Sequence, residues 1–164
     1  MPMSEKEQFL QNWEREHQTT LKVLRNYPAS QPDFKPHDRS RSASELAWTL
    51  AGEEKVFTDG AVTGKIDFTQ FPAQPKAWNE ILSAYEKTHQ ECVAKIKAAN
   101  EADLNKTVPF PAGPGKMMEM RRMDALWGMV MDQIHHRGQF SVYLRMAGGK
   151  VPSIYGPSAD EPWM

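Results

Sequence analysis

A chain of 164 residues with a formal net charge of −1 has the size of one domain and the charge balance of an ordinary globular protein. Nucleic-acid binding normally requires a clustered excess of lysine and arginine, so this balance argues against a polyanion-binding surface. The single cysteine, Cys92, excludes an internal disulfide and any zinc site built on several thiolates. Its helix-like surroundings favour a buried structural thiol.

The N-terminal stretch MPMSEKEQ lacks the apolar core of a signal peptide. No segment approaches the ~18 consecutive apolar residues that a membrane span requires. We therefore expect a cytoplasmic protein with a single domain over residues 1–164, whose partners include neither a membrane nor a nucleic acid.

Four long segments without proline are separated by proline-marked connections: residues 3–27, 37–71, 76–108 and 115–151. Proline inside a helix costs ~3 kcal/mol, so these segments are where long helices can form. Ser4 with Glu7, and Ser42 with Glu45, have the spacing of capping boxes at the start of the first two helices. The pair Gly148-Gly149 predicts the end of the fourth.

Each of the four segments carries a stripe of mainly apolar side chains at helical spacing. The first stripe is Phe9, Trp13, Leu21 and Leu24, and the second is Leu46, Leu50, Glu53 and Phe57. The third is Trp78, Ile81, Leu82, Tyr85, His89, Cys92 and Ile96. The fourth is Met123, Trp127, Val130, Ile134, Arg137, Ser141 and Leu144.

No segment shows a sustained alternation of period two, so we predict an all-α fold, an antiparallel four-helix bundle. The first connection, Tyr27 to Ser40, is too long for a tight hairpin and is expected to cross one end of the bundle. Residues 116–122 are predicted to be a loop that leads into the fourth helix. The tail from Val151 to Met164 is predicted to be extended and to pack across the surface through Ile154, Tyr155 and Trp163.

Polar side chains interrupt every apolar stripe. The first three helices contribute His17, Glu53 (with Thr49 one turn before it) and His89, and the fourth contributes the i,i+4 pair Asp132 and His136. Inward-facing side chains from different helices of a bundle meet at one level, which is how metal sites in bundles are built. This arrangement permits a metal site but does not require one.

The structural alternatives are equally specific. His17 and His89 are each typical of a core histidine hydrogen-bonded to a neighbour. Glu53 can point sideways, with Glu54 beside it in solvent, and Asp132 with His136 can form a simple ion pair.

Two further polar residues of the fourth helix flank these positions. His135 lies one residue off that face and is predicted to point outward or to lie at a helix interface. Arg137 can bridge to a carboxylate of a neighbouring helix, where its planar guanidinium suits bidentate pairing.

The stretch IHHRGQFSVYLRMAGGKVPSIYG, residues 134–156, resembles the C-terminal helix signature of the DinB-like (DinB/YfiT) superfamily. The stretch FKPHDRSRSASELAW, residues 34–48, resembles the same superfamily's approach to its second helix. The resemblance implies a left-handed four-helix bundle with up-up-down-down connectivity, often a homodimer. It also implies a divalent ion held by three histidines.

Only one of these three histidines is present in this chain. The last corresponds to His136, whereas the one a turn earlier falls on Asp132 and the second-helix histidine falls on Thr49. Glu53, one turn beyond Thr49, completes a set of one histidine and two carboxylates. Such a set suits iron, manganese or zinc with open positions for water or substrate, and replacing imidazoles with oxygen ligands weakens the preference for zinc or nickel. With no ion, Asp132 would instead accept a hydrogen bond from His136.

Two functions follow from this resemblance. The first is a metal-dependent, thiol-dependent transferase or a hydrolase, in which the ion creates a nucleophile near neutral pH. His136, Asp132, Glu53 and Thr49 are then candidate metal ligands, and His17, His89, His135 and Arg137 are candidate pocket residues. The second is a metal-free protein that binds a small molecule or acts through its dimer interface. The superfamily's association with DNA-damage induction concerns when a gene is expressed.

Overall fold

The computed structural model describes residues 2–163, most of which are helical. Four helices are long: α1 (Glu5–Arg25), α2 (Ala43–Thr63), α3 (Trp78–Ala98) and α5 (Arg122–Met146). A single turn, α4 (Glu101–Leu104), follows α3, and a short 3-10 helix covers Phe68–Gln70. Each long helix lies inside one of the proline-free segments, as predicted.

The predicted helix boundaries follow from local capping. The Ser4 and Ser42 hydroxyls accept from the amides of Glu7 and Glu45, whose carboxylates accept in return from the serine amides. Two orphan donors are thereby satisfied at the start of α1 and of α2. At the end of α2, Gly64 adopts a left-handed conformation with φ of 82° that favours glycine.

The four long helices surround the core. Helix α1 packs mainly against α3 and α5, and α2 packs against the same two helices. One buried cluster includes Leu50, Ile81 and Phe140, and a second includes Trp13 and Leu126. Cys92 is buried in the second cluster as a free thiol, as predicted, and burial raises its pKa to about 12.

The all-α prediction needs one correction, because residues 107–121 form a two-stranded antiparallel hairpin. Strand β1 (Thr107–Gly113) pairs with β2 (Lys116–Arg121), with Thr107 opposite Arg121. The expected loop at residues 116–122 is therefore mostly strand. The hairpin escaped prediction because it scarcely contributes to the core: Val108 is its only fully buried residue, so no alternation of apolar and polar side chains marks it.

The C-terminal tail lies across the surface, as predicted, but is held by fewer apolar contacts than expected. Ile154 packs against the first core cluster, and the hydroxyl of Tyr155 reaches buried groups on α1 and α5. Tyr155 and Trp163 are both largely exposed, at 65% and 66%. Lys22 of α1 pairs with Glu161 at 2.7 Å and fixes the end of the tail instead. Across residues 2–163, no helix combines the length and apolar character that crossing a membrane requires.

Candidate functional site

Two consecutive residues of α2, Glu53 and Glu54, belong to two separate groups of potential metal ligands. Glu53 lies with Asp132 and His136 of α5, and Glu54 lies with His17 of α1 and His89 of α3. Within each group the ligand atoms lie within 4.8 Å of one another. Both groups could therefore hold a metal ion, and they differ in burial and in hydrogen bonding.

The first group, Glu53, Asp132 and His136, is open on one side. His136 Nδ1 lies 3.4 Å from Glu53 Oε1 and 3.7 Å from Asp132 Oδ2. The side chains of Glu53 and His136 are mostly buried, whereas that of Asp132 is 52% exposed. Three residues predicted from the sequence as ligands are thus brought together.

Both buried members of this group retain unused polar atoms. Glu53 Oε2 and His136 Nδ1 are buried and form no hydrogen bond with any group in residues 2–163. Burial raises the pKa of Glu53, against the opposing effect of His136. The nearby Glu53 carboxylate raises the pKa of His136 above its usual value. Each of these two atoms is thus buried without a hydrogen-bonding partner. Burial of an unpaired polar atom destabilises the folded protein unless a ligand binds that atom.

The spacing of this group fits a divalent ion. Ligand atoms about 2.1 Å from a tetrahedral ion lie roughly 3.4 Å from one another. The two distances from His136 Nδ1, 3.4 and 3.7 Å, are close to this value. One imidazole and two carboxylates form a mixed, oxygen-rich ligand set, which suits iron, manganese or zinc.

Thr49, the fourth predicted ligand, is occupied elsewhere. Its hydroxyl donates to the carbonyl of Glu45 at 3.0 Å and accepts from Arg41 Nη1 at 2.7 Å. Its proton is thus engaged, and a cationic guanidinium lies against its oxygen. Arg41, which the sequence did not single out, takes up the hydroxyl at the position where the resemblance implies a histidine.

A cleft with a volume of about 710 Å³ opens beside the first group. This volume lies in the range of small-molecule sites. Five aromatic side chains and three carboxylates contribute to its wall. The cleft is lined by Arg41, Glu45, Trp48, Thr49, Glu53, Phe57, Phe68, Phe71, Gln74, Phe110 and Asp132. A second cavity of about 410 Å³ lies against Arg41, His136, Gln139 and Tyr143.

The roof of the cleft depends on a glycine. The ring of Phe71, from the connection between α2 and α3, packs directly onto Gly52, where a Cβ atom would lie 1.9 Å from Phe71 Cζ. The indole of Trp48 donates to the carbonyl of Pro72 at 2.8 Å and holds the same segment. The connection is thereby fixed over α2 at the edge of the site.

The second group, His17, Glu54 and His89, is buried, although a cavity of about 410 Å³ reaches His17 and His89. Glu54, with 0% of its surface exposed, accepts from Trp13 Nε1 at 2.9 Å and from His89 Nδ1 at 3.1 Å. His89 Nε2 lies 3.0 Å from the carboxylate of Glu14. Since an ionised carboxylate only accepts hydrogen bonds, both nitrogens of His89 donate and the ring is a cation.

The electrostatics of this group agree with a buried ion pair. Burial works against the charged forms of Glu54 and His89, and their partners outweigh it: His17 and His89 beside Glu54, and Glu54 and Glu14 beside His89. The pKa of Glu54 is consequently lowered and the pKa of His89 raised. The prediction that His89 is a core histidine hydrogen-bonded to a neighbour is confirmed.

An ion fits this second group less readily than the first. The rings of His17 and His89 are stacked 3.6 Å apart with an angle of 6° between their planes. An imidazole donates its lone pair in the plane of its ring, so two parallel stacked rings cannot both point at one ion. The ligand types suit a metal ion, but one ring would have to turn before both could bind it.

Glu54 is the residue that sequence reasoning placed wrongly. It was expected in solvent beside Glu53, whereas it is the most deeply buried carboxylate of both groups. Every position of α2 from Leu46 to Glu54 is buried, because α3 and α5 cover it on two sides. A single stripe of period 3.6 could not reveal that a second face of the helix is also covered.

The remaining predicted pocket residues lie outside both groups. His135 is exposed and pairs with Gln139. Arg137 is buried and pairs with Glu16 of α1 at 2.8 Å, so the predicted bridge to a neighbouring helix is confirmed. Its contact with the carboxylate is through Nη1 alone, while Nη2 donates to the hydroxyl of Tyr155.

The model of the DinB family matches residues 1–163. The chain belongs to the DinB family. An uncharacterised relative from Bacillus subtilis strain 168, YrdA, is 28% identical over 159 residues, which covers 93% of this chain and 89% of that protein. The DinB resemblance seen in residues 34–48 and 134–156 is thereby confirmed.

Two DinB-like crystal structures share the fold. One, from Bacillus subtilis, has a TM-score of 0.74 at 18% identity and covers 96% of this chain and 99% of its own. The other, from Bacillus cereus ATCC 10987, has a TM-score of 0.73 at 24% identity and covers 90% and 95%. At these identities the likeness establishes the DinB fold and leaves the chemistry to the residues of this chain.

Proposed function

We propose that this DinB-family protein is a metal-dependent enzyme, either a hydrolase or a transferase that uses a thiol. Its metal ligands are Glu53, Asp132 and His136. The observation that carries the proposal is a pair of buried, unpartnered atoms, Glu53 Oε2 and His136 Nδ1, beside an aromatic cleft. Buried polar atoms in native proteins are nearly always satisfied, so two such atoms in one ligand group support a ligand role for Glu53 and His136.

The metal ligands and the residues of the cleft have different roles in this proposal. Glu53 and His136 provide ligands from a mostly buried position, and Asp132 provides one from the solvent side. A divalent ion in this position supplies Lewis acidity, which lowers the pKa of a thiol or water that reaches it. The aromatic side chains of the cleft hold the small molecule next to the ligand group and exclude water from its apolar part.

The packing of the long helices is consistent with ligands that come from two neighbouring helices. We infer that α1, α2, α3 and α5 form the antiparallel four-helix bundle implied by the DinB resemblance. In support, each of the four packs mainly against two others, and the ligands come from α2 and α5, which pack against each other. The homodimer implied by the resemblance remains a prediction.

The test is metal analysis of protein prepared without an affinity tag, followed by titration of the metal-free protein with Mn²⁺, Fe²⁺, Zn²⁺ and Ni²⁺. We expect one ion per chain. His136→Ala should weaken binding more than about 100-fold, because even outer-shell changes cost roughly 10–100-fold. His135→Ala removes the neighbouring, exposed imidazole and is the matched control.

A further variant separates the two ligand groups. His89→Gln alters the second group and should leave both the stoichiometry and the affinity of the first site unchanged. A parent protein that stays metal-free after supplementation contradicts the proposal. So does a His136→Ala variant that binds the ion as tightly as the parent.

A further inference from the structure

Arg41, an exposed residue, brings a positive charge to the wall of the cleft. It lies just before Ser42, the N-cap of α2, and its side chain borders both the cleft and the neighbouring cavity beside His136. Among residues 2–163, no aspartate or glutamate forms an ion pair with it. Nη1 donates to Thr49, which leaves most of the five guanidinium N–H donors for a ligand.

The three carboxylates of the cleft have other partners. Glu45 accepts from the amide of Ser42 in the capping box of α2, at 2.6 Å. Glu53 and Asp132 lie beside His136, in the proposed metal site. The guanidinium reaches along α2 to Thr49, and none of these three carboxylates pairs with it.

Another part of the cleft wall is apolar. The Phe57 ring of α2 lies 5.9 Å from that of Phe68 in the 3-10 helix and 6.0 Å from that of Phe110 in the hairpin, measured between centroids. Three separate parts of the chain thus meet in one aromatic wall. Aromatic clusters of this kind bind flat or extended apolar groups through buried area and ring contacts.

We propose that the substrate is a small molecule with an apolar body and one terminal oxyanion, a carboxylate or phosphate, which binds Arg41 while the body lies against Phe57, Phe68 and Phe110. This substrate class rests on the proposed function, since the cleft borders the metal ligands. The planar guanidinium matches both oxyanions through paired hydrogen bonds. Arg41 thereby sets specificity without contacting the reacting atoms.

Calorimetric titration with three probes tests the proposal: 4-phenylbutyrate, its uncharged amide 4-phenylbutanamide, and 3-phenylpropyl phosphate. The parent should bind at least one of the two anions about tenfold or more tightly than the amide. One charge-assisted hydrogen bond contributes enough free energy for a ratio of this size. Whichever anion binds more tightly identifies the oxyanion. Equal affinity of all three probes, or binding of none, overturns the proposal.

Variants locate the contact. Arg41→Gln retains an amide that can reach Thr49 but removes the charge, and should abolish the preference for the anion while leaving amide binding unchanged. Arg39→Gln, which alters an exposed arginine two residues away that lines neither cavity, is the matched control. Phe68→Ala should weaken the anion and the amide by the same factor. An anion preference that survives Arg41→Gln overturns the role of Arg41.

Titrations are run with EDTA-treated protein and again with Mn²⁺. An anion preference that is present in EDTA and lost in Arg41→Gln supports the proposal, even if the protein proves to bind no metal. A preference that appears only with Mn²⁺ and persists in Arg41→Gln places the oxyanion on the ion. That result overturns the inference about Arg41 and leaves the proposed metal-dependent function standing.

Discussion

Glu53 and Glu54 are consecutive residues of α2 whose carboxylates lie in opposite kinds of environment. Glu53 lies 3.4 Å from His136 and keeps one buried oxygen without a partner. Glu54 accepts from Trp13 and from the His89 cation. One carboxylate is left available for a ligand, and its neighbour is fully used in holding three helices together.

The two glutamates should therefore respond differently to the same substitution. Glu54→Gln removes the charge that His89 requires and should lower the free energy of unfolding by about 3–5 kcal/mol, the usual effect of breaking a buried ion pair. Glu53→Gln, the matched control, should change it by less than about 1 kcal/mol in metal-free protein, since burial already disfavours that charge. Urea denaturation in EDTA measures both. Equal losses in the two variants would contradict this assignment.

The stability of the metal-free protein should depend on pH through the same group. The pKa of His89 is raised, so its contribution is complete below about 6.5 and declines as pH rises through the folded-state pKa. The pKa of Glu54 is lowered, so its contribution is complete above 4.5 and declines as pH falls through the folded-state pKa. Together they predict greatest stability between these two values.

Urea titrations at a series of pH values in EDTA provide the measurement. His89→Gln should be less stable than the parent at pH 5.5, and the difference should shrink toward alkaline pH. His135→Gln, which removes one exposed imidazole, is the control. A difference between His89→Gln and the parent that grows with pH would show that the ring is not a cation in the folded protein.

Restoring the two absent histidines should change metal selectivity. In Thr49→His with Asp132→His, an imidazole replaces the hydroxyl that Arg41 binds and a second replaces an oxygen ligand, which produces a three-histidine site with His136. Nitrogen ligands favour nickel and zinc relative to manganese, so the ratio of Ni²⁺ to Mn²⁺ affinity should rise at least about tenfold. Competition titrations measure the ratio. An unchanged ratio would place the ion elsewhere.

The C-terminal tail should depend on one hydroxyl group. Tyr155 donates to Glu16 and accepts from Arg137, while the guanidinium of Arg137 lies 5.1 Å from the tyrosine ring centroid. Tyr155→Phe retains the ring contact and removes the hydrogen bonds, at a cost of about 0.5–1.5 kcal/mol. We expect faster proteolysis within residues 151–163. Trp163→Ala, at an exposed position, should leave the cleavage rate unchanged.

The long helices, their capping boxes and the pairing of Arg137 were predictable from the sequence, because each depends on local spacing or on one strong chemical preference. The meeting of Glu53, Asp132 and His136 was predictable too, since i,i+4 spacing and the DinB resemblance both point to α5. The enclosed position of Glu54 and the role of Arg41 were not predictable. They depend on how far α3 covers α2 and on the path of a connection, which no local pattern encodes.

The contact of Phe71 with Gly52 affects the size of the cleft through a residue that is not a proposed metal ligand. A side chain at position 52 would have to displace the ring and would thereby reshape the cleft, and residue 52 is not itself one of the ligand residues Glu53, Asp132 and His136. Evolution can thus alter which molecules enter by exchanging one small residue, without rebuilding the ligand group.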